Sequence, residues 1–182
     1  MEFVILGLLL IRRLTQYEIK NALKQKVSPF FSASLGSIQA ALRKLESEQH
    51  VQFEEVIDNG RNKKVYSITV PGTEHWRNWM LSPPSPNRFE QDATTRLFFL
   101  GFLAKHEQLA VLSQIIRLLN AAVREFEDAE AEAQGKEIPS SLKQVVRFQL
   151  LTLDFGLHAH RSALEWFTRL YAEMEESDHE HG

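Results

Sequence analysis

The sequence predicts a mostly α-helical chain with one small β-hairpin, divided into an N-terminal and a C-terminal part. Apolar residues recur at helical spacing over most of the chain, and one short region around residues 51–68 alternates as strands do. A third observation is the proline-rich stretch LSPPSPNR, which cannot continue a helix. We therefore predict a first domain at residues 1–81, a linker at 82–87 and a helical domain at 88–182.

Composition limits the classes of protein that the chain can belong to. Its 182 residues, 43% hydrophobic and 25% charged, are typical of a globular protein with one core or two small ones. The absence of cysteine excludes disulfides and thiolate metal sites, which fits a reducing compartment. The early apolar run at residues 3–11 is too short to span a membrane and has no signal-peptide flanks, so we expect a cytoplasmic protein.

Charge is distributed unevenly between the two parts. Residues 1–81 hold 11 Lys and Arg against 8 Asp and Glu, a net +3, and the remaining residues hold 10 against 16, a net −6. Such asymmetry predicts an N-terminal part that faces a polyanion and a C-terminal part with another task.

Three helices are predicted ahead of the hairpin. The first covers residues 3–11, and the second begins at a capping box in which Thr15 is the N-cap and Glu18 the N3 residue, and ends near Lys26. The third begins near Ser34. Its apolar residues at i, i+3, i+4 and i+7 form one buried stripe, namely Ile38, Ala41, Leu42 and Leu45.

The hairpin has a register that the turn determines. Asn59-Gly60 is favoured in a two-residue type I′ turn, because both positions require positive φ. The resulting pairs are Asp58–Arg61, Glu55–Lys64, Phe53–Tyr66 and Val51–Ile68. One face is then apolar at its base and ion-paired, Glu55 with Lys64, near its tip. Thr73 is expected to cap a fourth helix, and the order of three helices, hairpin and helix is that of a winged helix-turn-helix.

The C-terminal part is predicted to be helical and to mediate dimerisation. A cap at Asn87–Glu90 precedes the first helix, and a heptad seam and a last helix at about residues 141–176 follow. The last helix is apolar on nearly every face in its first half, so we expect a second subunit to cover it. The predicted dimerisation residues are Leu112, Ile116, Leu119, Val123, Phe126, Leu150 and Phe155.

The candidate DNA contacts lie on the third helix and at the tip of the hairpin, with one further candidate, Lys20, on the second helix. Opposite the buried stripe, small residues permit close approach, and Gln39 and Arg43 have the geometry of base-edge readers. The hairpin cations suit phosphates and the minor groove. The full set is Ser34, Ser37, Gln39, Ala40, Arg43, Lys44, Arg61, Lys63, Lys64 and Lys20. The alternatives are a solvated helix face and hairpin charges that neutralise each other.

Catalytic and metal-binding patterns are weak. No nucleophile elbow, zinc-protease or phosphate-loop motif occurs, so we expect no enzyme, no cofactor and no metal. His179 and His181 sit in an acidic tail that we expect to be a frayed terminus. The last helix also carries a polar stripe, interpreted as a self-paired face or as a small-molecule or pH-sensing site, at Arg147, Asp154, His158, Arg161 and Glu165.

The chain resembles the PadR family of winged-helix transcriptional regulators. The resemblance is carried by ILGLL, TQYEI, SLGSIQAALRKLE and KKVYSITVPG in the first part, and by LLTLDFGLHAHRSALEWFTRL in the second, which is similar to the virulence-activator-like subgroup. It implies a homodimer on palindromic double-stranded DNA, a recognition helix at residues 34–48 and, in some members, a small-molecule effector. Gln39 departs from the tyrosine that the family commonly has at this position.

The predicted function is a dimeric, sequence-specific DNA-binding regulator, with repression as the expected sign. The alternative is a winged-helix adaptor whose basic tip binds an acidic protein.

Overall fold

The computed structural model describes residues 1–27, 34–58, 61–134 and 138–176. Contacts divide the chain into two compact units, Met1–Ala104 and Lys105–Gly182. This division lies beyond the proline-rich segment, because the helix that follows that segment packs within the first unit. The compact units thus divide at Ala104 and Lys105, not at the predicted linker. The domain boundaries at residues 82–87 stay a prediction.

The first unit begins with three helices, as predicted. Their bounds are α1 Glu2–Ile11, α2 Gln16–Ala22, which continues as a π-helix over Leu23–Val27, and α3 Leu35–Ser47. The capping box is confirmed: Thr15 Oγ1 accepts from the Glu18 amide at 3.2 Å, and Glu18 Oε2 accepts from the Thr15 amide at 2.8 Å. Both interactions satisfy amides that the first turn of a helix leaves unpaired.

The hairpin has the predicted register. It belongs to a sheet with a third strand that was not predicted. Strands β2 Val51–Asp58 and β3 Arg61–Ile68 pair antiparallel, with Phe53 opposite Tyr66 and Glu55 opposite Lys64. The short β1 Leu14–Thr15 pairs with the other edge of β3, giving the order β1-β3-β2. The Asn59-Gly60 turn lies outside the described residues.

The fourth helix, α4 Val70–Leu81, begins earlier than predicted. Thr69, not Thr73, is its N-cap, and its Oγ1 accepts from the Gly72 amide at 3.1 Å. Pro71 sits in the first turn, where no intrahelical amide is required, so the helix includes the Pro-Gly pair that the sequence interpretation placed before it. Trp76 and Met80 are buried.

The fifth helix, α5 Phe89–Phe99, lacks the predicted cap at Asn87–Glu90. A 3₁₀ turn at Pro86–Arg88 leads into it, and Arg88 makes no side-chain capping bond. Asp92, in the first turn, accepts a hydrogen bond from the Ser85 amide at 2.9 Å and ties the preceding segment to the helix. A second 3₁₀ turn, Leu100–Phe102, follows.

Arg96 of α5 is fully buried and closes the end of α4. Its Nη2 donates to the carbonyl oxygens of Trp79 at 3.0 Å and Ser82 at 3.2 Å, and its Nε donates to that of Met80 at 3.4 Å. The guanidinium also stacks on the Trp79 ring, 4.1 Å from the centroid. Carbonyls at a helix end lack intrahelical partners, so this one side chain replaces several missing hydrogen bonds.

The second unit is a pair of long helices. They are α6 Lys105–Gln134 and α7 Lys143–Glu176, and a 3₁₀ turn at Ser140–Leu142 precedes α7. A Cβ at Gly156 of α7 would lie 2.7 Å from the Phe126 ring of α6, so the glycine permits the close approach of the two helices. Within the described ranges, no helix is long and apolar enough to cross a membrane.

Candidate DNA-binding surface

Helix α3 presents two different faces. Ile38, Leu42 and Leu45 are buried in the first unit, together with Ala41. The opposite side is exposed and consists of Gln39, Ala40, Arg43 and Ser47, which we call the reading face. The structure therefore places Gln39 and Arg43, two residue types that can read base edges, on one exposed face of α3.

The start of α3 is held by two serines that the sequence assigned to DNA. Ser34 Oγ accepts from the Ser37 amide at 3.1 Å, and Ser37 Oγ donates to the Ser34 carbonyl oxygen at 2.8 Å. Both residues are exposed, so capping leaves them at the surface. Their first role is to fix where the helix begins.

Lys44 lies at the margin of the reading face and has carboxylate partners. Its Nζ is 2.9 Å from Glu2 Oε2 and 3.9 Å from Glu48 Oε1. The hydrogen bond with Glu2 raises the pKa of the Lys44 ammonium group. The structure thus connects Lys44 to α1, which distinguishes it from Arg43 among the predicted contacts.

A groove beside the hairpin adds two residues that sequence reasoning missed. Gln16 Nε2 donates to the Leu35 carbonyl oxygen at 3.4 Å, which brings together the starts of α2 and α3. Tyr17, next along the chain, is 68% exposed. The groove has a volume of about 700 Å³ and is lined by both residues together with Lys63 and Lys64. A tyrosine hydroxyl beside lysines is a common phosphate contact, and the exposed position of Tyr17 in the TQYEI segment was the available signal. Lys20, on α2, is half-buried.

The hairpin tip differs from its prediction in one interaction. Lys64 Nζ lies 3.6 Å from the centroid of the Phe53 ring, and Glu55 Oε2 accepts from Asn62 Nδ2 at 2.9 Å, so the expected Glu55–Lys64 ion pair is replaced by these two contacts. The contact with Phe53 is a cation–π interaction, which stabilises the Lys64 ammonium group without a carboxylate partner. Lys63 and Lys64 are exposed, whereas the Arg61 side chain lies outside the described positions.

The predicted dimerisation residues separate into a covered and an exposed set. Leu112, Leu119 and Val123 are buried in the single chain, and Ile116, Phe126 and Leu150 are half-buried. Phe155 is 75% exposed and follows three other exposed apolar side chains of α7 at spacings of three and four residues. We call this set the apolar α7 face; it consists of Val145, Phe148, Leu151 and Phe155.

The polar stripe of α7 forms ordinary pairs. His158 Nδ1 is 3.1 Å from Asp154 Oδ1, one turn away, and Arg161 Nη2 donates to Glu127 Oε1 of α6 at 2.6 Å. These contacts favour the self-paired interpretation of the stripe. His179 and His181 lie outside the described residues, and among those described no cluster of three or more potential ligands could hold a metal.

Three helices followed by a strand pair that exposes Lys63 and Lys64 place the first unit in the winged helix-turn-helix class of proteins. Residues 5–78 match the model of the transcriptional regulator PadR-like family, and residues 91–175 match the virulence activator alpha C-terminal model. The N-terminal part of the chain therefore matches the PadR-like family of transcriptional regulators, and the C-terminal part matches a domain of the virulence-activator type.

Two relatives are similar to the chain over almost its whole length. The negative transcriptional regulator PadR of Bacillus subtilis is 22% identical over 174 residues, which is 94% of this chain and 96% of the relative. A probable transcriptional regulator of Mycobacterium tuberculosis is 25% identical over 172 residues, 88% of this chain and 89% of the relative. Both are named as regulators, in agreement with the expectation that the chain is not an enzyme.

Two of the solved structures to which the chain is similar have the same TM-score. The crystal structure of Bacillus subtilis PadR with operator DNA has a TM-score of 0.45 and 22% identity, covering 94% of this chain and 96% of that one. A Streptococcus mutans protein has a TM-score of 0.45 and 26% identity, covering 94% and 98%.

Proposed function

We propose that the chain is a homodimeric, sequence-specific DNA-binding regulator that represses transcription from an inverted-repeat operator. The observation that carries this proposal is the reading face of α3, exposed beside the hairpin. Arg43 can donate two hydrogen bonds to guanine, and Gln39 can pair in the same way with adenine. Ala40 and Gly36 add little bulk, so the helix can enter the major groove closely.

The hairpin and the neighbouring groove would provide contacts that do not depend on sequence. Lys63 and Lys64 are exposed on opposite faces of β3, since successive strand residues alternate. In the proposed complex they neutralise phosphates, and Arg61 approaches the minor groove. Tyr17 and Gln16 would bind the same phosphate backbone from the start of α2.

The apolar α7 face supports a second copy as the remaining partner. Phe148 is 64% exposed and Phe155 75% exposed, and both lie on a helix that would otherwise present these rings to water. A two-fold dimer buries the same patch on both copies and presents two reading faces, which suits an inverted repeat.

Repression is the sign of regulation that the name of one relative favours. The Bacillus subtilis relative is named a negative transcriptional regulator, and it has been crystallised with operator DNA and with p-coumaric acid. The proposal extends to a small-molecule effector, the partner that the family resemblance implies.

Binding to duplex DNA selected from random sequence tests the proposal. Arg43→Ala should reduce the preference for the selected inverted repeat over random DNA by about 1–3 kcal/mol, and Arg43→Lys should restore charge without the two-pronged contact. The combined Arg61, Lys63 and Lys64 to alanine variant should instead weaken binding to all sequences. Its slope of log affinity against log salt should flatten by about 0.9 for each phosphate that the variant no longer neutralises.

The matched control is Arg124→Ala, which removes an exposed cation from α6. It should leave affinity, preference and salt slope unchanged. Wild-type protein that shows no sequence preference at physiological salt would contradict the proposal and favour the adaptor function.

A further inference from the structure

A column of four rings, stacked in two pairs, lies next to the end of α3. The His50 and His75 rings are 4.2 Å apart and nearly parallel at 8°, and His75 lies 5.1 Å from Phe3 of α1. Phe3 in turn stacks on Trp79 at 4.4 Å and 7°. The column therefore joins α1 and α4 to the short segment between α3 and β2.

His50 connects this column to both elements of the DNA-binding surface. Its amide donates to the Leu45 carbonyl oxygen of α3 at 2.8 Å, and its carbonyl oxygen accepts from the Thr69 amide at 3.1 Å. The next residue, Val51, begins β2. A Cβ at Gly72 would lie 2.0 Å from the His50 carbonyl oxygen, so α4 passes against the His50 backbone. Movement of His50 would displace the end of α3 and the base of the hairpin together.

A carboxylate lies next to the His50–His75 pair and can stabilise one protonated ring. Glu48 Oε2 is 3.4 Å from His50 Nδ1, an atom that is buried and makes no hydrogen bond within the described residues. The other groups facing His75 are Glu2 of α1 and Lys44 of α3, which pair with each other. Burial, and then the proximity of His50, lower the pKa of His75. A second proton on the stack would set two like charges about 4 Å apart in a partly buried site.

We propose that the His50–His75 stack is a proton-sensitive joint that holds the end of α3 and the base of the hairpin against α4 when neutral, and releases them on acidification. The joint regulates the proposed DNA binding and so rests on it. Because the pKa of His75 is lowered in the closed state, an open state takes up protons more readily. The stabilisation is complete above the ordinary histidine value of 6.5 and is lost as pH falls below it.

The experiment compares wild type with His75→Phe, which keeps a flat ring in the column and removes the charge. Urea unfolding and binding to the selected duplex are measured at several values between about pH 8 and pH 5.5. Wild type should lose both stability and affinity toward the acid end. We expect its loss of affinity to exceed that of His75→Phe by about threefold to tenfold, because His75→Phe removes the charge that opens the joint.

His106→Gln is the matched control, because His106 is an exposed histidine of α6. It should retain the wild-type pH dependence. Should His75→Phe fail to fold, the titration of the wild-type His75 ring proton by NMR decides. A midpoint at or above the ordinary value overturns the joint, as does an unchanged pH dependence of unfolding in His75→Phe. A protein without DNA affinity at any pH would contradict the proposed function, whereas the unfolding and NMR measurements would still decide on the joint.

Discussion

Replacement of Arg96 by methionine is expected to be among the most destabilising single changes in the first unit. The side chain is 0% exposed, and its nitrogens serve the carbonyls at the end of α4. Its Nη1 is also 3.5 Å from Asp92 Oδ2, a carboxylate that is itself largely buried. Methionine has similar length and no donor, so the substitution removes the hydrogen bonds while keeping much of the volume.

The magnitude follows from what remains after the substitution. Asp92 would keep a buried charge without its partner, and breaking a buried pair in this way typically costs about 3–5 kcal/mol. The carbonyl oxygens of Trp79 and Ser82 would also lose a charged donor. Because both lie at a helix end that water can reach on local opening, they add little to the expected loss of stability. We expect a loss of about 3–5 kcal/mol in the free energy of unfolding.

Urea unfolding followed by circular dichroism measures this loss. Arg96→Lys should recover only part of it, because an ammonium group cannot serve several divergent carbonyls at once. Asp92→Asn in the Arg96→Met background should recover more, since it removes the orphaned charge. The reasoning is refuted if Arg96→Met loses less than about 1 kcal/mol, the average loss for point substitutions of every kind.

Three further predictions concern packing, backbone and protonation. Leu119→Glu should destabilise the second unit by several kcal/mol, because Leu119 is buried in the single chain. Phe155→Glu should retain its helicity and sediment as a monomer. A folded Leu119→Glu dimer would contradict this difference between the two variants. Gln49 has φ 59° at the end of α3, so Gln49→Gly should raise stability by about 0.5–1 kcal/mol in urea unfolding, with no gain as the contrary result. The hydrogen bond from the Thr15 amide lowers the pKa of Glu18, so its stabilisation is present above the ordinary value of 4.5 and is lost as pH falls through the lowered one. Glu18→Gln should show a flatter acid limb, and an identical limb would refute the assignment.

Local chemistry made much of the first unit predictable. The capping box at Thr15 depends on residues three apart, and the hairpin register depends on two turn residues and alternation, so both are readable from sequence. The start of α4 was mispredicted because Thr69 and Thr73 are both threonines, so residue preference at the N-cap does not distinguish them. The choice depends on Thr69 also donating from its Oγ1 to the Gln49 carbonyl oxygen at 2.7 Å, a contact between distant residues.

Long-range contacts account for most of what the sequence did not predict. The role of Arg96 depends on carbonyls 13–17 residues earlier, and no periodicity encodes such pairings. Lys64 faces Glu55 across the hairpin by register, but the diagonal Phe53 ring attracts it instead. The heptad seam of α6 was predicted to mediate dimerisation. In the structure, α7 of the same chain covers part of it, and heptad spacing alone does not specify that partner.

The burial of Arg96 also bears on how such proteins can be recombined. The proline-rich segment looks like a place to exchange modules between relatives, yet Arg96 bonds to the Ser82 and Pro83 carbonyls inside it, and Asp92 holds the Ser85 amide. A chimera joined there would pair one parent's arginine with another parent's loop. A junction at Ala104 and Lys105, where the compact units divide, keeps every one of these partners in the parent that supplied it.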